Sequence, residues 1–433
     1  MSATDSVSVF AEGTFEEQVQ ELVNYIVRNQ PDEERIASIR PFQEALITPD
    51  GQKPLSEDPD RRKKIFSMII STIKGLGHGH EREIEGFYNL IYAHLLSLYS
   101  PSSPEAKQHV DKLLEVISAA PAAQTPIKYR ILSNLFNALP RNSALRLSVY
   151  NTILKIAVAD GSINALHLSR FSVEKWLGEW DISSEDKSGF LKNIADAYEQ
   201  TNQPIKSYEY SLLYVRSLNP TSEVAKDASI QIISTALCIP SIFDFDAIFK
   251  LDAVVANKDH ELFSLLQIFL NDGISEFQEW EASHPGSLEK YDLDRTTLER
   301  KIRLLTLASL GFKHVGTNLP YDKIAEAIQV DVSQVERWVI DGLSISLPSS
   351  ISIIHISPLA VIRAGLLSGK LSQTTQTLHI IRSTARSFER EQWEALEQRL
   401  VAWKSGLNSV LDVVANAKRQ GGHVAQNVPV AAA

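Results

Sequence analysis

The sequence predicts a mostly α-helical protein in which a right-handed solenoid of helical repeats precedes a winged helix and one long C-terminal helix. Three observations support this fold class: helical spacing of apolar residues from Phe15 to about Glu281, short helices and a hairpin pattern after a Pro/Gly break, and a terminal heptad pattern. The predicted limits are 1–14 for a disordered N-terminus, 15–290 for the solenoid, 296–387 for the winged helix, 388–418 for the heptad helix and 419–433 for a disordered tail.

The composition is that of a folded protein that works with other proteins. The 433 residues exceed the usual size of one compact core, and 44% are hydrophobic and 22% charged. The net charge of −10 lies in no long single-sign block, which argues against a dedicated nucleic-acid binder. Cys238 is the only cysteine, so no intrachain disulfide forms. The N-terminal residues lack a signal-peptide layout, which predicts a cytosolic or nuclear protein.

In the predicted solenoid, each helix has one apolar face and one polar face. The first such face is lined by Phe15, Val19, Leu22 and Ile26. Two further faces are lined by Ile84, Phe87, Ile91, Leu95 and Leu98, and by Leu262, Leu265, Leu266 and Phe269. Short breaks of Pro, Gly, Ser and Asn between the helices predict antiparallel pairs stacked as a solenoid, although no clean fixed-period repeat is present.

The winged helix is predicted after the break "SHPGS". Leu298, Ile302 and Leu305 mark its first helix, and "PYDKIAEAIQ" and "VSQVERWVID" form the next two around the turn "VDVS". A capping-box pattern of Ser333 and Glu336 would start the third helix at Ser333. The stretches "SGKLSQ" and "TLHIIRSTA" predict two strands joined by a polar turn at 373–376.

The C-terminal helix carries a heptad seam that predicts an interface with other chains. Its apolar positions alternate at spacings of three and four: Trp393, Leu396, Leu400, Trp403, Leu407, Val410 and Val414. A helix of about 29 residues spans about 43 Å, which is long enough to leave the domain and join other helices. The wing can also pair edge to edge with a neighbouring sheet. The predicted interface therefore adds Leu371, Leu378 and Ile380 of the wing.

Motifs that could carry chemistry are weak. "GLGHGHERE" resembles a phosphate loop or a metal site, but it follows a helix rather than a strand, and His78 and His80 lack a third ligand. An interhelical turn is the favoured interpretation, with a metal-dependent enzyme as the alternative. The chain has no Gly-x-Ser-x-Gly, His-Glu-x-x-His or P-loop motif. We therefore expect no catalytic residue, no metal site, no cofactor and no enzyme activity.

The charge clusters of the sequence are interpreted as helix ends and protein-binding surfaces rather than as nucleic-acid-binding sites. The basic run Arg61 to Lys64 directly follows Glu57, Asp58 and Asp60, which favours a solvated helix start over an RNA patch. The acidic pairs "DFD" and "DLD" lie near turns, where helix capping explains them. The second helix of the helix-turn-helix presents a net negative surface, with these side chains: Gln334, Glu336, Arg337 and Asp341. A structural or protein-binding winged helix is therefore favoured over a groove-binding one.

Three stretches resemble the PCI family, the scaffold subunits of the proteasome lid, the signalosome and eukaryotic translation initiation factor 3. They are "RILSNLFNALPRNSALRLSVYNTILKIA" from Arg130, "KIRLLTLASL" from Lys301 and "FEREQWEALEQRLVAWKSGLNSV" from Phe388, and they are most similar to the M-subunit family of that factor. The resemblance implies a non-catalytic, cytoplasmic scaffold that joins other PCI and MPN subunits on the small ribosomal subunit, with any RNA contact indirect and no membrane contact.

The resemblance also implies how such a subunit assembles. Winged helices of the family pair laterally into an arc, and C-terminal helices gather in a bundle. The matching positions here are the wing from Gly369 to Ala385 and the seam from Trp393 to Val414. The alternatives are a PCI subunit of the lid or signalosome and, from a different class, a winged-helix nucleic-acid-binding regulator.

Residues 342–360 interrupt the family pattern. This stretch has no charged residue, yet its prolines, serines and histidine are unsuitable for a membrane span. Without it the sequence reads "QVERWVIDVIRAGLLSGKL", in which the apolar face of the third helix is continuous and Gly365 ends the helix. The segment is encoded by a whole number of codons, so its removal keeps the reading frame, and its coding length is that of a short intron. We hypothesise a retained intron or gene-model error, with a genuine surface loop as the alternative.

Overall fold

The computed structural model describes residues 13–48, 53–342, 365–386 and 390–424. The chain divides into two compact units, Met1–Asn219 and Pro220–Ala433. This division lies inside the predicted solenoid, because the helices that follow Pro220 pack with the winged helix. Most of the predicted N-terminal tail, residues 343–360 of the predicted insert and the last residues of the predicted C-terminal tail lie outside the described residues.

The first unit consists of stacked helices. They are α1 Phe15–Val27, α2 Asp32–Leu46, α3 Pro59–Thr72, α4 Glu81–Leu98, α5 Pro104–Ala119, α6 Thr125–Ala138, α7 Leu145–Ala159, α8 Arg170–Glu179, α9 Ser184–Gln200 and α10 Pro204–Ser217, with 3₁₀ turns at Leu55–Glu57, Ala122–Gln124 and Ile163–Leu166. Helices contact both the adjacent helix and the helix two places along, as α4 does with α6 and α7 with α9. This is the packing of helical repeats, and the mostly helical fold class is confirmed.

The apolar faces predicted for α1 and α4 lie in one core. Val19 and Leu22 of α1 are fully buried, as is Ile91 of α4, whereas Phe15 packs at the margin. At the start of α1, the Thr14 hydroxyl accepts the N–H of residue 17, and the carboxylate of that glutamate accepts the N–H of Thr14 at 2.8 Å. Local capping and helical spacing therefore explain this helix from the sequence upward.

The second unit contains further helices and the β-sheet. Its elements are α11 Glu223–Cys238, α12 Asp246–Phe249, α13 Asp252–Ala256, α14 Glu261–Asn271, α15 Ile274–Ser283, α16 Ser287–Lys290, α17 Arg295–Lys313, β1 Asn318–Pro320, α18 Tyr321–Ile328, α19 Val332–Gly342, β2 Leu367–Ser372, β3 Thr377–Ser383 and α20 Arg390–Val424. The end of α20 lies beyond residue 418, where the sequence predicts that the helix ends.

Helices α17, α18 and α19 and the three strands form the winged helix. The antiparallel sheet has the order β1-β3-β2, and Leu378 of the central strand lies opposite Leu319 on one side and Leu371 on the other. The prediction of three helices followed by a hairpin is confirmed. Strand β1 was not predicted, because three residues that include a proline carry no alternating pattern.

The predicted capping residue of α19 is wrong by two positions. Helix α19 begins at Val332, and the carboxylate of Asp331 accepts the N–H of Ser333 at 2.8 Å. The side chain of Glu336 does not complete a capping box but contacts the side-chain amide of Gln373. An aspartate placed one residue before the helix is as good a cap as serine, and it takes that role here.

A buried lysine joins α17 to α11. The side chain of Lys301 is 1% exposed, and its ammonium group donates hydrogen bonds to the carbonyl oxygens of Ala236 at 2.6 Å and Leu237 at 2.8 Å. These carbonyls belong to the last turn of α11, which has no intrahelical donors for them. Burial lowers the pKa of Lys301 to about 7. The lysine therefore caps one helix from the side of another.

Candidate assembly surfaces

The seven predicted seam residues of α20 are all exposed to solvent in this chain. Their exposed fractions are Trp393 61%, Leu396 38%, Leu400 52%, Trp403 68%, Leu407 49%, Val410 59% and Val414 57%. With 35 residues, α20 spans about 52 Å. Burying one such side chain is favourable by roughly 1.5–3 kcal/mol. A long row of exposed apolar side chains is therefore typical of a surface that binds another protein.

The three predicted interface residues of the wing lie in the core of the winged helix. Leu378 is fully buried, Ile380 is 1% exposed, and Leu371 packs half-buried against the same cluster. Lateral pairing would therefore use the main chain of β2 rather than these side chains. Within the described residues, β2 pairs only with β3, so its other edge has alternate N–H and C=O groups free for a partner strand. Pairing through the wing stays a prediction.

Two glycines allow close contacts at the wing. A Cβ at Gly369 would lie 2.5 Å from the carbonyl oxygen of His379, so β2 can approach β3 there only without a side chain. The strand pairing shifts at a bulge beside this glycine. A Cβ at Gly311 of α17 would lie 2.4 Å from a methyl group of Leu367. The shape of the wing thus depends on both glycines.

The segment between the wing and α20 is anchored by Arg386. Its guanidinium donates from Nε to the carbonyl of Leu305 at 2.8 Å, from Nη1 to the carbonyl of Asp272 at 2.5 Å and from Nη2 to the hydroxyl of Thr306 at 3.0 Å. Burial lowers the pKa of Arg386 to about 10, so the group stays charged at neutral pH. The arginine thereby fixes the chain against α14 and α17 just before the C-terminal helix.

Helix α19 presents a mixed surface rather than a basic one. Gln334 and Arg337 are exposed and Glu336 is half-buried, whereas Val335 and Val339 pack inward. The side chain of Asp341, predicted on the same surface, lies outside the described ones. One cation offers little attraction to nucleic-acid phosphates. A protein-binding role for this winged helix stays a prediction.

The glycine-histidine loop is an interhelical turn, as predicted. It joins α3 to α4, and the hydroxyl of Tyr25 donates to the carbonyl of Leu76 at 3.0 Å. His78 and His80 are exposed. Across the described residues, no group of three or more His, Cys, Asp or Glu side chains is arranged to hold a metal ion. Over the same ranges, no helix combines the length and apolar character that crossing a membrane requires.

The basic run at the start of α3 is partly used for capping. Arg61 donates to the carbonyl oxygens of Ala45 at 3.2 Å and Ile47 at 3.1 Å, and Arg62 donates to that of Leu55 at 2.8 Å. These contacts correct the interpretation of a merely solvated helix start, because the two arginines satisfy carbonyls at nearby helix ends. The capping interpretation of the "DLD" stretch is confirmed at its second aspartate, which caps α17.

Two family models and related proteins match this chain. The family model described as "PCI domain" matches residues 277–344, and the one described as "eIF3 subunit M, C-terminal helix" matches residues 386–414. The chain is 31% identical to eukaryotic translation initiation factor 3 subunit M of Phaeosphaeria nodorum, covering 95% of this chain and 89% of that protein. The proteins of the same name from Coccidioides immitis and Neosartorya fischeri are 28% and 29% identical, with 96% and 94% of this chain and 90% and 86% of theirs covered.

Proposed function

Because the chain belongs to the family of eukaryotic translation initiation factor 3 subunit M, we propose that it is a non-catalytic scaffold subunit of the initiation factor 3 complex. In this role it supports recruitment of mRNA and initiator tRNA to the small ribosomal subunit. Its partners are other PCI and MPN subunits and the small ribosomal subunit, with any RNA contact indirect. Its place of action is the cytoplasm.

The observation that carries the proposal is the exposed seam of α20. The family match over residues 386–414 covers all seven seam residues, from Trp393 to Val414. A chain that kept these side chains in water would forfeit the free energy of burying them, so a helix of another subunit is the natural partner. The domain limits, with α20 extended to Val424, and the seven seam residues form part of this proposal, whereas Leu371, Leu378 and Ile380 lie in the core of the wing and only place the main chain of β2.

The wing supplies a second point of attachment. Among the described residues, the outer edge of β2 pairs with no other strand, and main-chain pairing is how sheets add strands from another chain. Because Leu378 and Ile380 are buried in the domain, specificity at this edge would come from side chains of β2 that face solvent, such as Lys370. The wing and α20 would then contact different neighbours.

The test is a double substitution in the seam, Leu400→Asp with Trp403→Asp. Tagged full-length chains are expressed in cells, and the co-purifying initiation-factor subunits are quantified by mass spectrometry. We expect their recovery to fall by about tenfold or more, because charges at a buried interface cost several kcal/mol. Thermal unfolding of the purified chain should not change, since both side chains are exposed in it.

The matched control is Ala402→Asp with Ser409→Asp, which adds the same charges to the opposite side of α20. Its recovery of partners should equal that of the unmodified chain. Equal recovery by the seam variant would contradict the proposal.

The same purification separates the alternatives. Stoichiometric recovery of proteasome-lid or signalosome subunits, instead of initiation-factor subunits, would assign the chain to that assembly. A nucleic-acid-binding regulator would require tight, salt-sensitive binding of duplex DNA or RNA by the full chain. Cell fractionation should place the chain with the ribosomal fraction of the cytoplasm.

A further inference from the structure

The antiparallel sheet of the wing has an outer face that turns away from the core of the winged helix. Side chains of residues that lie directly opposite each other on paired strands share one face of the sheet. The inner face is lined by one such row: Leu319, Leu378 and Leu371. The next row therefore lies on the outer face: Asn318, His379 and Lys370. The ring Nδ1 of His379 lies 2.8 Å from Oδ1 of Asn318, and this contact joins two strands across the outer face.

A bulge in β3 adds two side chains to the outer face. Ile381 and Arg382 lie opposite a single residue of β2, Ser368, because the strand pairing shifts there. Strict alternation after the buried Ile380 would turn residue 382 back toward the core. Instead, Arg382 is exposed, Ile381 is 53% exposed, and Ser383 turns inward, where its hydroxyl donates to a main-chain carbonyl of α17 at 2.7 Å. The bulge thereby holds an apolar and a cationic side chain next to each other in solvent.

The outer face is positive in a chain that is acidic overall. Residues 366–384 contain Lys370 and Arg382 but no Asp or Glu, whereas the whole chain has a net charge of −10. Both cationic side chains are exposed. Glu336 of α19 contacts the hairpin at its turn, where the side-chain amide of Gln373 donates to its carboxylate. A local positive field on an acidic chain attracts an acidic partner and disfavours a basic one.

An apolar side chain between two cations fits a protein better than a nucleic acid. Protein interfaces have an apolar centre and a polar rim, and arginine is enriched in them. Ile381 corresponds to such a centre, and Lys370 and Arg382 correspond to the rim. Surfaces that bind nucleic acids instead bring several cations to the phosphates and aromatic rings to the bases. The three strands of this sheet contain two Lys or Arg residues and no Phe, Tyr or Trp, which favours a protein as the partner.

We propose that the outer face of the wing binds an acidic segment of another protein. Lys370 and the residue of β2 that lies opposite Arg382 are two positions apart, so the two cations are separated by about 7 Å along the strands. The segment presents one apolar side chain to Ile381 and two carboxylates at this spacing to Lys370 and Arg382. The inference goes beyond the proposed function, because it uses neither the seam of α20 nor the main-chain edge of β2.

Photo-cross-linking of the full-length chain in cells tests the proposal. The photoreactive residue p-benzoylphenylalanine is introduced in place of Ile381 on the outer face or, as a separate reference, Leu407 in the seam. The products are treated with ribonuclease or left untreated, and the cross-linked peptides are identified by mass spectrometry. We expect position 381 to label a peptide of another protein in which at least two Asp or Glu residues flank the labelled residue.

Four results from position 381 would overturn the inference: a product that ribonuclease removes, a peptide of this chain itself, a peptide without flanking acids, or no product. Each of them does so whatever position 407 gives. A missing product from position 407 would instead count against the proposed function.

Charge reversal tests the role of the two cations. Lys370→Glu with Arg382→Glu should lower the cross-linking yield from position 381 by about tenfold, because attraction to the carboxylates becomes repulsion. The matched control Lys323→Glu with Arg337→Glu makes the same change of charge at exposed positions of α18 and α19, and it should leave the yield unchanged. Equal yields from the reversal and the control would overturn the inference.

Thermal unfolding checks that both variants keep their fold, which we expect because all four side chains are exposed. If the reversal unfolds the wing, Lys370→Gln with Arg382→Gln takes its place. This neutral variant should lower the yield by about threefold, since it removes the attraction without adding repulsion. An unchanged yield from it would likewise contradict the proposal.

Discussion

The winged helix and α20 use apolar residues in opposite ways. In the winged helix, Leu378 and Ile380 are at most 1% exposed, whereas Leu400 and Trp403 of α20 are 52% and 68% exposed. In both regions, apolar residues recur with the period that is typical of the local strand or helix. The difference teaches that the winged helix obtains its burial within the chain, whereas α20 leaves its apolar row exposed and, under the proposed function, would bury it against another chain. Substitutions in the two regions should therefore affect different properties.

The largest expected difference is between Leu378→Ala and Leu400→Ala. The first should lower the free energy of unfolding by about 2–5 kcal/mol, because it leaves a cavity in a fully buried core. The second should change it by less than about 0.5 kcal/mol and instead weaken recovery of partner subunits. Urea denaturation of the purified chain gives both values. Similar losses for the two variants would mean that α20 is buried within its own chain in solution.

A second prediction concerns how one lysine in each region affects the pH dependence of the free energy of unfolding. The pKa of Lys301 is about 7 in the fold and 10.5 unfolded, so the unfolded chain binds more protons between these values. The free energy of unfolding should therefore rise with pH over this window, by up to about 1.4 kcal/mol per pH unit. Lys301→Met should remove the rise, and Lys404→Met on the exposed helix should not. Denaturation at pH 7.5 and pH 9 measures both, and a rise that survives in Lys301→Met would show that Lys301 stays charged.

A smaller effect of opposite sign is expected at two glycines. Gly369→Ala should lower the free energy of unfolding by about 1–3 kcal/mol, because the new Cβ would meet the carbonyl oxygen of His379 at 2.5 Å. Gly406→Ala in α20 meets no atom within 4 Å, and it should raise helix stability by about 1 kcal/mol. Thermal melts followed by circular dichroism compare them. A stabilising Gly369→Ala would show that β2 lies further from β3.

The smallest effect is expected from deleting residues 342–360. If the segment is a retained intron, the deletion should change neither the free energy of unfolding nor the recovery of partners. Gly365 has φ 63°, the left-handed conformation expected of a helix-ending glycine. Peptide sequencing of the endogenous protein gives a direct answer. A tryptic peptide "WVIDVIR" supports the intron, and a peptide running from Trp338 to Arg363 shows that the loop is made.

Features that depend on near neighbours in the sequence could be predicted. The seam of α20 follows from spacing alone, and all seven of its residues are exposed in this chain. The turn at the histidines and the hairpin of the wing follow from local residue types. The start of α19 was misplaced because two good capping residues, Asp331 and Ser333, lie two positions apart.

Contacts between distant residues could not be predicted. Lys301 reads as a charged surface residue until α11 brings the carbonyls of its last turn to it. Arg386 likewise gains its acceptors only when α14 and α17 meet beside the wing.

By itself, the sequence determined the helical class, the winged helix, the heptad row from Trp393 to Val414 and the family resemblance, because spacing and capping act over a few residues. Only the tertiary structure decided which apolar rows are covered. It placed Leu371, Leu378 and Ile380 inside the wing and left the α20 row outside. The physical reason is that periodicity specifies a face of an element, whereas burial requires a second element to arrive at that face.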